Sequence, residues 1–424
     1  MPQPRKLLMV TLYFPPCGAV AALRMTGLAR YLPRYGWNPI VVAPPNPPHE
    51  PRDASLERLL PKETTTLISV PFAEGLWGKI NRKYFPNRLW TWRALKACRH
   101  AIRKYQPDAV YTSHPPEFIH EIGLTLKKEF GLPWVACFRD PWAVLDPFKK
   151  TPAEFEFDHA GERATIEAAN LVVGVSPSYS RGLRDAYPEQ AHKIVTITNG
   201  YDPDNFSESL SPPPRERLSI LYTGEMYGRR DPRALFDAIK ELDESPIPGL
   251  PKVGFDFVGR DKPEECDIAA ELAKRNMQAI TSMSPVIPYK ECLRKTMQAD
   301  ILVLLHFPGI AHGLPAKIFE YLGARRPILA LTDYPGDIAW VLKESGILHR
   351  IAPQKDKSQI KQAIVELLRE LNAGSPAAPP LREPTPFTRQ DMARQLAEQL
   401  DGLVEPPHVE PTKRPTTDAP VTAF

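Results

Sequence analysis

Long hydrophobic runs are missing from this 424-residue sequence. A bilayer span needs roughly 18 to 20 apolar residues, and the longest uninterrupted candidates, such as Ile301 to Leu305, read instead as core strands. The start, Met1 to Lys6, is positively charged, but the apolar stretch behind it breaks at Pro15-Pro16, too soon for a secretory leader. Cysteine is sparse. Cys17, Cys98, Cys137, Cys266 and Cys292 are odd in number and form no CxxC pair, which argues against a zinc knuckle or disulfide framework and fits a reducing cytoplasm. Charge of one sign is missing too: 54 basic against 50 acidic side chains leave +4, too little to point to nucleic acid.

What is present is a soluble composition, 42% apolar and 25% charged, able to bury a sizeable core. At about 100 to 200 residues per domain the length predicts two domains or three. Proline is the unusual residue: the chain has 49, and they cluster in loops and at the ends.

Lys6 to Tyr13 reads as a buried strand, followed by a sharp Pro15-Pro16-Cys17-Gly18 turn. Val20 to Tyr35 carries apolar residues at helical spacing (Val20, Leu23, Leu28, Leu32), Gly36 ends it, and Ile40 to Val42 begins a second strand. This βαβ order implies a parallel sheet with helices on its faces. Ala109 to Tyr111, Trp134 to Ala136 and Leu171 to Val175 continue the strands, with a helix near Phe118 to Phe130. After the stiff Ser211-Pro212-Pro213-Pro214 connector a second series starts. Strands are expected at Leu218 to Tyr222, Val253 to Val258, Ile301 to Leu305 and Pro327 to Leu331, with helices at Pro232 to Leu242 and Ala316 to Gly323. The organisation read from this is an N-terminal domain over 1–206, a linker over 207–217 and a second domain over 218–372. A crossing linker and helix follow over 373–404, the helix at Thr388 to Leu403, and then a disordered tail over 405–424. Ligands of such sheets sit beyond the carboxyl ends of strands, so the loops there are where chemistry is sought.

Tyr13 to Gly36 (YFPPCGAVAALRMTGLARYLPRYG), Val195 to Phe206 (VTITNGYDPDNF) and Gly313 to Leu329 (GLPAKIFEYLGARRPIL) resemble family 4 glycosyltransferases of the GT-B fold. Trp134 to Trp142 (WVACFRDPW) and Leu221 to Pro232 (LYTGEMYGRRDP) resemble a bacterial branch with a Phe-Arg-Asp-Pro-Trp motif. The resemblance covers roughly residues 5 to 403. It implies an α/β architecture of two Rossmann-like, doubly wound domains facing across a cleft. It also implies a metal-independent, retaining transfer from a nucleotide-diphosphate sugar, without a further cofactor, and a C-terminal helix that returns to the N-terminal domain.

Such a transfer needs a held nucleoside, fixed donors for the charge growing on the departing diphosphate, and exclusion of water. The resemblance assigns Glu320 to the donor ribose, and a carboxylate suits vicinal hydroxyls because it accepts two bonds in one plane. The backbone of Gly313-Leu314, just before that helix, is a candidate for the diphosphate. His312 stands where many members have a glutamate facing the donor sugar; it is either a contact to a hydroxyl or phosphate, or a loop histidine. Lys317, Arg229 and Arg230 are the candidates for the diphosphate, the arginine pair being either that or plain surface. Gly18, in the loop after the first strand, would let backbone approach diphosphate or acceptor. Cys17 reads as a small buried hydrophobe. On the acceptor side, Asp140 would orient or deprotonate a hydroxyl, while Arg139 either steadies phosphate or forms a turn-shaping pair with Asp140. His114 is a further candidate for acceptor or donor contact, and Asn199-Gly200 with Asp202 reads as a structural turn.

Lys79 to Tyr105 carries nine basic residues and no acidic one, interleaved with Tyr84, Phe85, Trp90 and Trp92. That pattern reads either as a peripheral membrane surface or as a solvated helix with a core stripe of Trp92, Leu95 and Ile102. The leading expectation is a cytoplasmic glycosyltransferase, peripheral at the inner face of the membrane, with a glycan or lipid-linked acceptor. A non-catalytic GT-B scaffold protein is second and a sugar-nucleotide epimerase third.

Overall fold

The computed structural model describes residues 3–73, 87–146, 150–208, 210–226, 230–307, 312–374 and 387–404. Two parallel sheets organise the chain. The first contains β1 (Arg5–Val10), β2 (Trp37–Ala43), β3 (Thr66–Ser69), β4 (Ala109–His114), β5 (Trp134–Phe138), β6 (Leu171–Gly174) and β7 (Ile194–Thr196), in the order β3-β2-β1-β4-β5-β6-β7. The second contains β8 (Leu218–Met226), β9 (Val253–Asp261), β10 (Thr281–Ser284), β11 (Ile301–Leu305), β12 (Ile328–Leu331) and β13 (His349–Ala352), in the order β10-β9-β8-β11-β12-β13. Strand order reverses beside β1 and β8, so each lobe has its crevice at the carboxyl ends of β1 and β4 or of β8 and β11.

Helices cover both faces of each sheet, which is why its strands read as continuous apolar runs. In β1 the side chains alternate faces: Leu8 and Val10 join one core, Leu7 and Met9 the other. The strand stops at Val10, short of the expected Tyr13, because the Tyr13 amide turns back to Thr11 Oγ1 at 3.2 Å. The expected Val20 to Tyr35 helix is α-helical only over Val20–Tyr31 and tightens to a 3₁₀ turn over Leu32–Tyr35. Pro33 explains the change, since it has no amide for the helical ladder. Gly36, at φ 82°, then closes the turn in the left-handed region.

The Arg389–Val404 helix contributes Met392, Ala393, Leu396, Ala397 and Leu400 to the core that contains Leu28 and Leu32 of the first lobe. The chain thus crosses between lobes twice, and the crossings pair with each other. Tyr201 N donates to Phe387 O at 3.0 Å and Arg389 N to Tyr201 O at 2.8 Å. Gly200 allows this closeness: a Cβ there would lie 2.5 Å from the Thr388 carbonyl carbon. Three side chains of the Val20–Tyr31 helix hold the turn from below. Arg24 donates to Ile197 O, Thr198 O and Asn199 Oδ1 at 3.0–3.1 Å. Tyr31 donates to the buried Asp202 at 2.7 Å, and Arg30 pairs with the same carboxylate at 2.7 Å. Residues 375–386 of the expected crossing linker and the expected tail over 405–424 lie outside the described residues.

In the Arg88–Tyr105 helix, the core side chains are Trp90, Ala94, Cys98, Ala101 and Ile102. Trp90, not the expected Trp92, is buried, because its indole N–H reaches Val70 O at 2.8 Å; Trp92 is 57% exposed.

Gly200→Ala is expected to destabilise the protein by about 1–3 kcal/mol through overpacking against Thr388. Its urea midpoint should fall, and an unchanged midpoint would refute the crossing contact.

Candidate functional site

In the second lobe the Lys317–Ala324 helix starts at the gap beyond β8 and β11. Lys317 Nζ lies 3.7 Å from the Tyr222 ring centroid, over a strand end where Gly224 has φ 103°. A Cβ on Gly224 would come within 3.0 Å of that ammonium, so the bare backbone is what admits it. One turn along, half-buried Glu320 accepts a 2.9 Å hydrogen bond from the Tyr289 hydroxyl on Oε1. Its Oε2 makes no hydrogen bond among the described residues. Burial pushes the Glu320 carboxyl above its ordinary value, and the Tyr289 bond with Arg389 and Lys317 pulls the other way. Arg230 donates from Nε to Leu305 O at 3.2 Å and flanks Phe307 at the end of β11. Next to it, His306 Nδ1 lies 3.2 Å from Thr332 Oγ1. Arg229 lies outside the described residues.

In the first lobe the Phe-Arg-Asp-Pro-Trp turn follows β5. Arg139 is half-buried and gives its protons to three carbonyls: His114 O at 2.9 Å, Pro115 O at 2.9 Å and Ala21 O at 3.3 Å. It makes no ion pair with Asp140 among the described residues. Burial pulls its pKa down, with Asp140 opposing. Asp140 is exposed; its carbonyl accepts from the Tyr179 hydroxyl at 2.8 Å, and its carboxylate has no hydrogen bond among the described residues. The rest of the turn hangs on buried Glu162, which accepts from Ala143 N at 2.9 Å and from the Tyr187 hydroxyl at 2.7 Å. His114, 1% exposed, stacks on Trp142 at 5.5 Å and His120 at 5.7 Å, with Glu117 Oε1 3.6 Å from Nε2. That burial makes it part of the wall behind the gap. The Gly18 amide donates to Pro51 O at 2.8 Å, so this amide is engaged by the 51–53 loop.

The two lobes meet where the residues before the Lys317 helix face the first-lobe helix Pro177–Ala186. Asp337, buried at the start of the Gly336–Ser345 helix, accepts from Ser178 N at 2.9 Å and from Ser178 Oγ at 2.5 Å. Gly313 N donates to the same carboxylate at 3.3 Å, and His312 Nδ1 lies 3.2 Å from Ser178 Oγ. Gly313, at φ 105°, has no atom of the described residues within 4 Å of where a Cβ would stand, and Leu314 packs on the second-lobe core. Glu320, Lys317 and Arg230 therefore gather in the second lobe, with His312 and Gly313 at the boundary and Arg139, Asp140 and His114 in the first. None of them lines the cavity of about 370 Å³ between Arg215 of the connector, the β8–β10 strands and the Tyr289–Met297 helix.

Two Rossmann-like lobes, each with its switch point turned to a shared gap and the last helix returned to the first, define one architecture. The chain has the GT-B fold. Residues 21–205 match the sequence model of Glycosyltransferase Family 4. A glycosyltransferase from Rickettsia africae superposes with a TM-score of 0.68 at 17% identity, over 95% of this chain and 99% of that one. Anabaena HepE, solved in complex with UDP and glucose, gives 0.61 at 13%, over 94% and 100%. A putative UDP-N-acetylglucosamine 2-epimerase from Listeria monocytogenes gives 0.59 at 12%, over 94% and 96%. No curated protein matches the sequence. At these identities the GT-B likeness speaks for the fold; the chemistry has to come from the residues of the gap.

Sequence reasoning missed Tyr289, Ser178, Asp337 and Glu162. Tyr289 and Ser178 open helices at the ends of strands, a position that would have singled them out; nothing in sequence ties Glu162 to the turn it holds.

Burial, reinforced by Arg230, pushes His306 down to about 4 from 6.5. An NMR titration should find it neutral until that range. The unfolded chain takes the proton first, so this group's contribution to stability, complete above pH 6.5, is lost as pH falls toward 4. Titration near 6.5 would contradict the buried, Arg230-flanked setting.

Proposed function

We propose that this protein is a retaining, metal-independent glycosyltransferase of family 4 that moves a sugar from a nucleotide diphosphate to a glycan or lipid-linked acceptor. One juxtaposition carries the reading: Lys317 and Glu320, one helical turn apart, present a cation over the bare Gly224 backbone and a carboxylate oriented by Tyr289. Glu320 Oε2 takes the ribose hydroxyls. Lys317 and Arg230 meet the diphosphate as the bond from the anomeric carbon breaks and its electron pair leaves with the phosphate oxygen. The acceptor oxygen forms the new bond and gives up its proton, for which the exposed, unengaged Asp140 carboxylate is the candidate base. Arg139 and His114 shape this side of the gap: the guanidinium is committed to three carbonyls and the imidazole is buried. Support comes also from the family match over 21–205 and from the GT-B structure bound to UDP and glucose.

A non-catalytic GT-B scaffold is the second reading, favoured by the engagement of the Gly18 and Gly313 amides within the chain. Incubation with UDP- and GDP-sugars plus a lipid extract separates the two, because only an enzyme releases free nucleotide. Glu320→Ala should weaken nucleotide-diphosphate binding by about 1.5–3 kcal/mol, the worth of a hydrogen bond to a charged group. Unchanged affinity in calorimetry would remove Glu320 from the site.

We place the acceptor at a membrane surface. No helix among the described residues is long and apolar enough to cross a membrane. The Arg88–Tyr105 helix exposes Trp92 with Lys96 beside it at 5.9 Å, while Arg99 is neutralised by Glu129 at 2.6 Å; residues 79–86 of this basic stretch lie outside the described residues. Co-sedimentation with vesicles of anionic phospholipid should fall several-fold for Trp92→Ala and in high salt. Equal binding to neutral vesicles would refute an electrostatic dock.

A further inference from the structure

The contact between the lobes has a proton order that its chemistry dictates. A carboxylate has no proton to give, so the Ser178 hydroxyl spends its single hydrogen on Asp337 Oδ2, 2.5 Å away. Ser178 Oγ is then the acceptor toward His312 Nδ1 at 3.2 Å, and His312 carries its proton on Nδ1. A neutral imidazole protonated there presents Nε2 as a lone pair. His312 is half-buried, and its Nε2 makes no hydrogen bond among the described residues. Ser178 belongs to the first lobe, whereas His312, Gly313 and Asp337 belong to the second.

We propose that Ser178 and Asp337 are positioning residues that, when the lobes close, hold His312 in its Nδ1–H form and so make Nε2 the acceptor for a hydroxyl of the donor's sugar. This rests on the donor-site reading above. With the nucleoside at Glu320 and the diphosphate at Lys317, the sugar extends toward the lobe boundary, where His312 stands eight residues before Glu320. A histidine replaces a carboxylate acceptor only if its proton is pinned on the far nitrogen. Here the pin is supplied from across the gap, so reading the sugar requires closure. Asp337 also holds the Gly313 amide at 3.3 Å, which ties the start of the donor loop to the same event.

Two measurements test this. In ¹⁵N-histidine-labelled protein saturated with UDP, long-range ¹H–¹⁵N correlations, assigned through His312→Gln, should show the Nδ1–H tautomer. Ser178→Ala should lose it and Ser178→Thr should keep it. In calorimetry with UDP, UDP-glucose, UDP-galactose, UDP-N-acetylglucosamine, GDP and GDP-mannose, the tightest nucleotide sugar is compared with its own diphosphate. Ser178→Ala and the isosteric Asp337→Asn should weaken the nucleotide sugar about tenfold, the scale of one hydrogen bond, and leave the diphosphate nearly unchanged. In a His312→Glu background, where the acceptor needs no pin, Ser178→Ala should have no further effect. A wild-type Nε2–H tautomer overturns the relay. Equal losses for nucleotide sugar and diphosphate overturn the sugar contact alone. Binding of none of these ligands overturns the donor-site reading and the sugar contact together.

Discussion

The pairing of the two chain crossings is the constraint on which the gap depends. Tyr201 exchanges backbone hydrogen bonds with Phe387 and Arg389 across a distance that only a glycine at 200 permits. Arg24 and the Arg30–Asp202–Tyr31 group fasten that junction to the first lobe. Phe387, in turn, packs on Phe319, one residue before Glu320. The lobes are thereby joined at one end by a network of mostly buried polar groups, while at the other they touch through Ser178, Asp337 and His312. An arrangement with a rigid end and a polar, separable end suits opening for substrate and closing around it.

Each lobe brings a different kind of equipment to the gap. The second offers groups that suit an anionic nucleotide: Lys317 over exposed backbone, Arg230 at a strand end, and a carboxylate for hydroxyls. The first offers a stiff platform. Arg139 there is a clamp on three carbonyls and Glu162 a buried anchor for backbone amides, whereas the Asp140 carboxylate has no hydrogen bond among the described residues. Fixed dipoles and charges that need no rearrangement are what lowers the cost of charge transfer, and in the proposed reaction this division would put them on the side of the leaving group.

Much of the architecture was legible because its strands are covered on both faces. Apolar blocks such as Leu7 to Val10 and Ile301 to Leu305 admit no other reading once turn residues bound them. Glu320, Lys317 and Gly313 were candidates through the family resemblance of Gly313 to Leu329. The side-chain roles were less legible. Trp90 and Trp92 are equally apolar, and only the position of the Val70 carbonyl decides which indole is buried. The loop glycines were assigned to a ligand from their type, yet the amides of Gly18 and Gly313 are claimed by Pro51 and Asp337, residues 33 and 24 positions away.

The sequence alone determined the alternation of strand and helix, the two successive α/β units and the chemical kinds of side chain available at strand ends. Those follow from local periodicity and turn chemistry, which act over a few residues. Which of these side chains are spent on the protein's own backbone and which stay open was decided only in three dimensions. Arg139 with His114 O, Ser178 with Asp337 and Tyr289 with Glu320 are partners separated by 25, 159 and 31 residues. A hydrogen bond over such spans depends on where whole elements pack, and no local pattern encodes that.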